Sequence, residues 1–225
     1  MGREGWALIA PVLAREGIGV SPEQRTRLER YVELLLHWGR RINLTAARDP
    51  QTVFTRHILD ALMLERLPWP QPAARWVDLG AGGGFPGMVF AVMHPELQVT
   101  AVETVAKKIT FLQQTARELG LAHYHPLRMD AQKFADSAQG AGTFDVVLAR
   151  AFADLETVLD LGARLVRPGG EVWAMKGQRL AEEQQRLSGP VRKVFNPQPK
   201  LYAYEFPEWS GEGVVAVYRR ETALG

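Results

Sequence analysis

The sequence predicts an α/β fold: a mostly parallel, seven-stranded sheet with an antiparallel hairpin at one edge, preceded by a helical amino-terminal cap. Three observations carry that prediction. Pro68-Trp69-Pro70-Gln71-Pro72 divides the chain, because closely spaced prolines remove backbone donors and set an extended path that no helix can follow. Before it, apolar residues recur at helical spacing. After it, strand-like and helix-like runs alternate, the pattern of right-handed βαβ units. The division gives a helical cap over residues 1–74 and a sheet domain over 75–225.

In the cap, Trp6, Ile9, Val12 and Leu13 fall on one helical face. Ser21-Pro22-Glu23-Gln24 is a capping-box start with proline at the first helical position. Leu28, Tyr31, Leu35, Trp38 and Ile42 then follow at steps of three or four. A third helix opens at Asp49-Pro50-Gln51-Thr52, with Val53, Phe54, Ile58, Ala61 and Leu62 inside. Beyond the prolines, Trp76-Val77-Asp78-Leu79 reads as a strand and 98–102 as a second. A helix over 105–119 is closed by Gly120, and a third strand ends near Arg128. Residues 144–149 form a fourth strand, followed by a helix over 154–166. Arg167-Pro168-Gly169-Gly170 makes a turn into a fifth strand over 171–175. The edge hairpin is expected from 191–195 and 214–220, which a polar loop separates.

The 225 residues are 46% hydrophobic and 23% charged, ordinary for a globular chain, so disordered and collagen-like classes drop out. With no cysteine, disulfides, thiolate metal sites and a cysteine nucleophile are excluded. No apolar run approaches the roughly 18 residues of a membrane helix, and the start reads as an amphipathic helix rather than a signal peptide. A soluble cytoplasmic protein is expected. The 27 basic residues against 25 acidic ones leave a formal charge of +2. That excess belongs to residues 1–74, which hold 10 arginines, no lysine and 8 acids. Arg40, Arg41, Arg48 and Arg56 crowd one stretch with Asn43, His57 and Asp60, a candidate RNA-facing surface with salt-sensitive binding.

The strongest motif is Val77-Asp78-Leu79-Gly80-Ala81-Gly82-Gly83-Gly84-Phe85-Pro86-Gly87. A glycine-rich turn between a first strand and a helix lets backbone approach a cofactor closely. Two cofactors compete for it. Gly82-x-Gly84-x-x-Gly87 formally fits the dinucleotide pattern, but it starts late and holds Pro86. Asp78-x-Gly80-x-Gly82-x-Gly84 fits S-adenosylmethionine better, with Asp78 facing the ammonium group. Glu103, at the end of the second strand, can accept bonds from ribose hydroxyls and so serves either nucleoside ligand.

The chemistry narrows by elimination. An exocyclic-amine methyltransferase would carry an Asn/Asp-Pro-Pro-Tyr/Phe segment where this chain has Leu148-Ala149-Arg150-Ala151. Pyrimidine C5 methylation needs a cysteine, and no His/Asp/Glu group has metal-ligand spacing. Methylation of a ring nitrogen such as guanine N7 needs no general base, only a positioned lone pair and a charge-matched site. Arg128 and Arg150 lie at strand ends, where an open sheet places its ligands, and an arginine fork suits a guanine edge or a phosphate.

Arg41-Ile42-Asn43-Leu44-Thr45-Ala46, Arg56-His57-Ile58-Leu59-Asp60, the turn 78–87, Arg150-Ala151-Phe152-Ala153 and Ala174-Met175-Lys176-Gly177 occur in this order. Together they closely resemble the bacterial 16S rRNA guanine-N7 methyltransferases, also called glucose-inhibited division protein B. The likeness spans roughly residues 25–220. It implies a class I, Rossmann-like S-adenosylmethionine-dependent methyltransferase fold, and a target at one guanine near the decoding centre (guanine 527 in the family). It implies 16S rRNA or the small ribosomal subunit as partner, no membrane, and a monomer. The cofactor would be held by Asp78, Gly80, Gly82, Phe85, Glu103, Met129, Asp130 and Arg150. Arg150, Asn43 and Arg128 are the implied catalytic residues, and Asn43, Arg56, His57 and Lys176 the substrate contacts. Three departures stand out: Met129-Asp130 replaces Val/Ala-Glu, Ala61 replaces a serine, and Trp209-Ser210-Gly211-Glu212-Gly213 lacks the usual arginine.

Overall fold

The computed structural model describes residues 2–69, 75–195, 198–206 and 211–221. Its strands are β1 (Arg75–Leu79), β2 (Gln98–Glu103), β3 (Tyr124–Arg128), β4 (Phe144–Arg150), β5 (Val166–Lys176), β6 (Lys200–Phe206) and β7 (Gly211–Arg219). They form one sheet in the order β3-β2-β1-β4-β5-β7-β6. The first five pair in parallel, whereas β7 runs antiparallel to both β5 and β6. The chain leaves β1 toward β2 on one side and returns to β4 on the other. That reversal opens a crevice at the carboxyl ends of the strands, where such sheets bind ligands.

Strand periodicity divides the core between two faces. Trp76, Val99, Ala101, Leu148 and Trp173 point to one side and pack with the cap and with α5 (Gly87–Met93) and α6 (Ala106–Glu118). Val77, Leu79, Val102, Val147, Val172 and Ala174 point to the other. There they meet α7 (Ala131–Ala135), α8 (Leu155–Leu165), α9 (Leu180–Gln185) and α10 (Gly189–Val194). Each large apolar side chain buried this way contributes about 1.5–3 kcal/mol.

The cap begins with α1 (Gly2–Arg15) and α2 (Pro22–Gly39). Ser21 and Gln24 cap α2 reciprocally, at 3.2 Å and 2.7 Å. Asp49 caps α3 (Pro50–Val53) by accepting from the Thr52 N–H at 2.8 Å. The helix then widens into a π turn (Phe54–Ile58), continues as α4 (Leu59–Leu62) and tightens into a 3₁₀ turn (Met63–Arg66). No helix among the described residues is long and apolar enough to cross a membrane.

Two local expectations are corrected. The sixth strand is Lys200–Phe206, not 191–195. Gly189-Pro190 starts a short helix because proline suits a first turn, and only Phe195 bridges to Arg220. Tyr204 and Phe206 alternate inward instead. The second correction concerns 167–170, which lie inside β5 rather than before it. The sheet absorbs them as a register shift opposite Phe144 and Val146, with Gly169 at φ 80°. Residues 70–72 of the proline segment and 209–210 of the divergent loop lie outside the described residues; Gly211, Glu212 and Gly213 of that loop begin β7.

Candidate active site at the carboxyl edge of the sheet

Asp78 ends up fully buried near the tip of β1. Its Oδ2 accepts from the Gly87 N–H at 3.0 Å, and its Oδ1 is buried with no partner. Gly87 must be a glycine, because a Cβ there would stand 2.7 Å from that Oδ2. Burial pushes the Asp78 carboxyl up to about 8, against the opposing pull of the Gly87 N–H and of Arg150. Gly80 turns the chain at φ 68°, and a Cβ on it would strike Phe152 at 2.4 Å.

Glu103 closes β2 beside this turn. Its Oε1 accepts from the N–H groups of Thr104 (2.8 Å) and Val105 (2.9 Å), and its Oε2 from Gly82 (3.1 Å). Burial opposes its ionisation. The Val105 N–H, the Lys108 ammonium and the other N–H donors outweigh that and hold it below the usual carboxylate range. The turn therefore offers two acids in opposite states. One is strapped down by donors, and the other has an oxygen with nothing to bind. An orphaned buried carboxylate oxygen under a glycine turn fits the ammonium group of an amino-acid-bearing cofactor. Glu103 Oε2 also faces the Lys108 ammonium at 3.5 Å, and a carboxylate with its several lone-pair sites can still accept from a ribose hydroxyl.

Arg150, at the end of β4, reaches across to the cap. Its Nε pairs with Asp60 at 2.7 Å, and its Nη2 donates to the Arg56 carbonyl and to His57 Nδ1, both at 2.9 Å. Its guanidinium carbon lies 5.8 Å from the Phe85 ring centre. Asp60 also accepts from the Tyr204 hydroxyl of β6. Burial, then Asp60, keep that phenol well above its ordinary value. Burial, reinforced by Arg150, pushes His57 down to about 4, so the ring is uncharged near neutral pH. Its face lies against Phe85 at 4.9 Å, and Tyr31 covers Phe85 from elsewhere at 5.2 Å.

The remaining expected residues spread around this centre. Arg128 is exposed opposite Glu103, donating to the Thr104 carbonyl at 3.3 Å. The Met129 N–H donates to the Glu103 carbonyl at 3.2 Å, which sets Met129 beside the end of β2. Asp130 caps α7 through one oxygen, taking the Lys133 N–H at 3.1 Å. Lys176 donates to the Ala153 carbonyl at 2.8 Å and pairs with Glu183 at 2.7 Å. With Arg150, Phe152 and Tyr204 it lines a cleft of about 1020 Å³. The Arg56 side chain is exposed, and Asn43 is exposed on the irregular segment after α2. That segment touches the glycine turn, since a Cβ on Gly83 would lie 3.2 Å from the Leu44 carbonyl.

A family model described as rRNA small subunit methyltransferase G (GidB) matches residues 24–193. The ribosomal RNA small subunit methyltransferase G of Burkholderia multivorans is 41% identical over 170 residues, covering 76% of this chain and 75% of its own. That of Halorhodospira halophila is 38% identical and covers 83% of both chains. The chain belongs to the rRNA small subunit methyltransferase G family. Solved structures support its class I methyltransferase fold. A predicted O-methyltransferase from Agrobacterium tumefaciens has a TM-score of 0.57 at 20% identity over 72% of this chain and 84% of that one. A Klebsiella pneumoniae protein of similar provisional description has a TM-score of 0.62 at 18% identity over 99% of this chain and 100% of that one. At such identities the likeness speaks for the fold alone.

Membership in the methyltransferase G family removes the dinucleotide alternative for the glycine turn. By spacing alone Tyr31 is one more apolar position of α2, yet its hydroxyl donates to the Gly83 carbonyl of the turn. A phenol in a stripe of leucines was the available signal. Tyr204 gave none, because its partner Asp60 is 144 residues away.

Proposed function

We propose that this chain transfers a methyl group from S-adenosylmethionine to N7 of one guanine in 16S rRNA, guanine 527, near the decoding centre. The broader statement follows from family membership: the chain is a methyltransferase of a family that modifies guanine N7 in ribosomal RNA. The observation that carries the cofactor assignment is the partnerless oxygen of buried Asp78 under the glycine turn. Asp78 would take the cofactor's ammonium group, Glu103 its ribose hydroxyls, and Met129 with Asp130 its adenine edge, while Gly80, Gly82 and Phe85 supply the cradle. When bound, that cofactor supplies an electrophilic methyl group on a sulfonium.

The protein's own task is then to hold and orient. Guanine N7 carries its lone pair without losing a proton, so no general base is required. His57 suits that demand, being uncharged and bonded through both ring nitrogens. The exposed Arg128, Arg56 and Asn43 would offer guanidinium and amide groups to the guanine edge and phosphates, and Arg150 and Lys176 would act from the cleft they line. In this reading residues 1–74 face the RNA and 75–225 hold the cofactor. We place the protein in the cytoplasm, acting as a monomer on 16S rRNA or the small subunit.

The test is transfer of a labelled methyl group to small-subunit particles lacking the modification, followed by mapping of the labelled nucleotide. One methyl at N7 of guanine 527 is expected. Label at another nucleotide, or none, overturns the assignment.

A further inference from the structure

Residues 41–49 carry Asn43 but form no helix or strand, so something other than secondary structure must fix their path. The anchor is a hydrogen bond from the cap helix. Arg150 Nη2 can only donate, so His57 Nδ1 accepts from it at 2.9 Å, and the imidazole proton resides on Nε2. Nε2 then donates to Thr45 Oγ1, 2.6 Å away. The same oxygen accepts from the Ala47 N–H at 3.1 Å, closing a local turn, and Arg48 Nη1 holds the Thr45 carbonyl at 2.7 Å. Next to Thr45, the Leu44 carbonyl rests on Gly83, and His57 itself lies on Phe85 of the glycine turn. The segment is thus pinned at Thr45 by a ring that is packed on the cofactor turn and oriented by Arg150.

We propose that Thr45 and His57 are positioning residues that lock the Asn43-bearing loop onto the glycine turn, so that the RNA-facing group and the cofactor share one frame. Neither acts as acid, base or ligand. Their effect runs through placement, to which group transfer is sensitive at the scale of an ångström. The consequence for Asn43 rests on the proposed function; the anchoring of the loop does not.

The experiment compares full-length wild type with Thr45→Val, which keeps the shape and removes the hydroxyl, and with Thr45→Ser, which keeps the hydroxyl. Thr45→Ala serves as a second deletion of the hydroxyl should the valine disturb packing. Limited trypsin digestion reads the loop directly, because Arg40, Arg41 and Arg48 are exposed on or beside it. Cleavage there is expected to rise about fivefold or more in Thr45→Val and to stay at the wild-type rate in Thr45→Ser. Methyl transfer to small-subunit particles should show kcat down about tenfold or more in Thr45→Val and restored in Thr45→Ser. S-adenosylmethionine affinity should stay within about twofold of wild type. Unchanged loop cleavage in Thr45→Val, a serine variant as impaired as the valine one, or cofactor affinity falling in step with kcat would each overturn the proposal. If loop cleavage in the variants responds as expected while the wild type methylates no rRNA, the anchor is upheld and the substrate reading is defeated instead.

Discussion

The glycine turn and the segment 40–57 adjoin at Gly83 and Leu44, yet they are made differently. The turn is backbone wrapped over a buried carboxylate, and its own N–H groups do the holding: Gly87 donates to Asp78 and Gly82 to Glu103. The segment 40–57 is charged side chains whose decisive partners come from far away: Arg150 reaches Arg56 and His57 across 94 and 93 residues. The lesson concerns how each half tolerates change. Backbone cradles fail when a Cβ is added, whereas side-chain networks fail when one member is removed and its partners are left unsatisfied.

The largest expected effect therefore falls on the network. Arg150→Ala should destabilise the fold by about 2–4 kcal/mol in urea unfolding, because Asp60 and the Arg56 carbonyl lose a charged donor in a partly buried place. A loss under about 0.5 kcal/mol would mean the network is surface decoration. Next comes the cradle. Gly80→Ala adds a Cβ at φ 68° in contact with Phe152, and should weaken S-adenosylmethionine binding about tenfold with little change in RNA affinity. Equal losses in both affinities would erase the division between the halves.

A third prediction uses the opposite titrations of Asp78 and His57. Asp78 is raised from 3.8 to about 8, so its contribution to stability is complete below pH 4 and is lost as pH rises through 8. His57 is lowered from 6.5 to about 4, so its contribution is present above pH 6.5 and is lost as pH falls through 4. A cationic cofactor beside Asp78 favours the carboxylate. Binding near pH 7 should therefore release up to about one proton, visible as a buffer-dependent calorimetric enthalpy that Asp78→Asn abolishes. The smallest effect belongs to the rim: Arg41→Ala should lower the logarithmic salt slope of rRNA binding by about 0.7–0.9 and leave cofactor binding alone.

The same contrast explains what could be read from the chain beforehand. The capping box at Ser21, the cap at Asp49, the strand ending at Leu79 and the turn after it are written in neighbouring residues, and so were legible. The sheet's parallel part followed from alternation. The sixth strand was misplaced because Val191, Val194 and Phe195 look strand-like locally, while Pro190 starts a helix turn that buries Val191 against α8. Arg150 sits at the strand end that the sequence predicts, but the sequence does not show that the cap's Asp60, Arg56 and His57 engage its Nε and Nη2. No local pattern announces a partner 90 residues away.

The helices before the first strand share a continuous apolar core with α5, α6 and one face of the sheet, through Leu28, Leu35, Phe54 and Leu62 on one side and Phe90, Leu112 and Trp173 on the other. A chain shorn of those helices would present that face to water, an aggregation surface rather than a free-standing catalytic module. The amino-terminal helices are consequently not a detachable part: grafting another piece in their place would have to rebuild the core that both regions share.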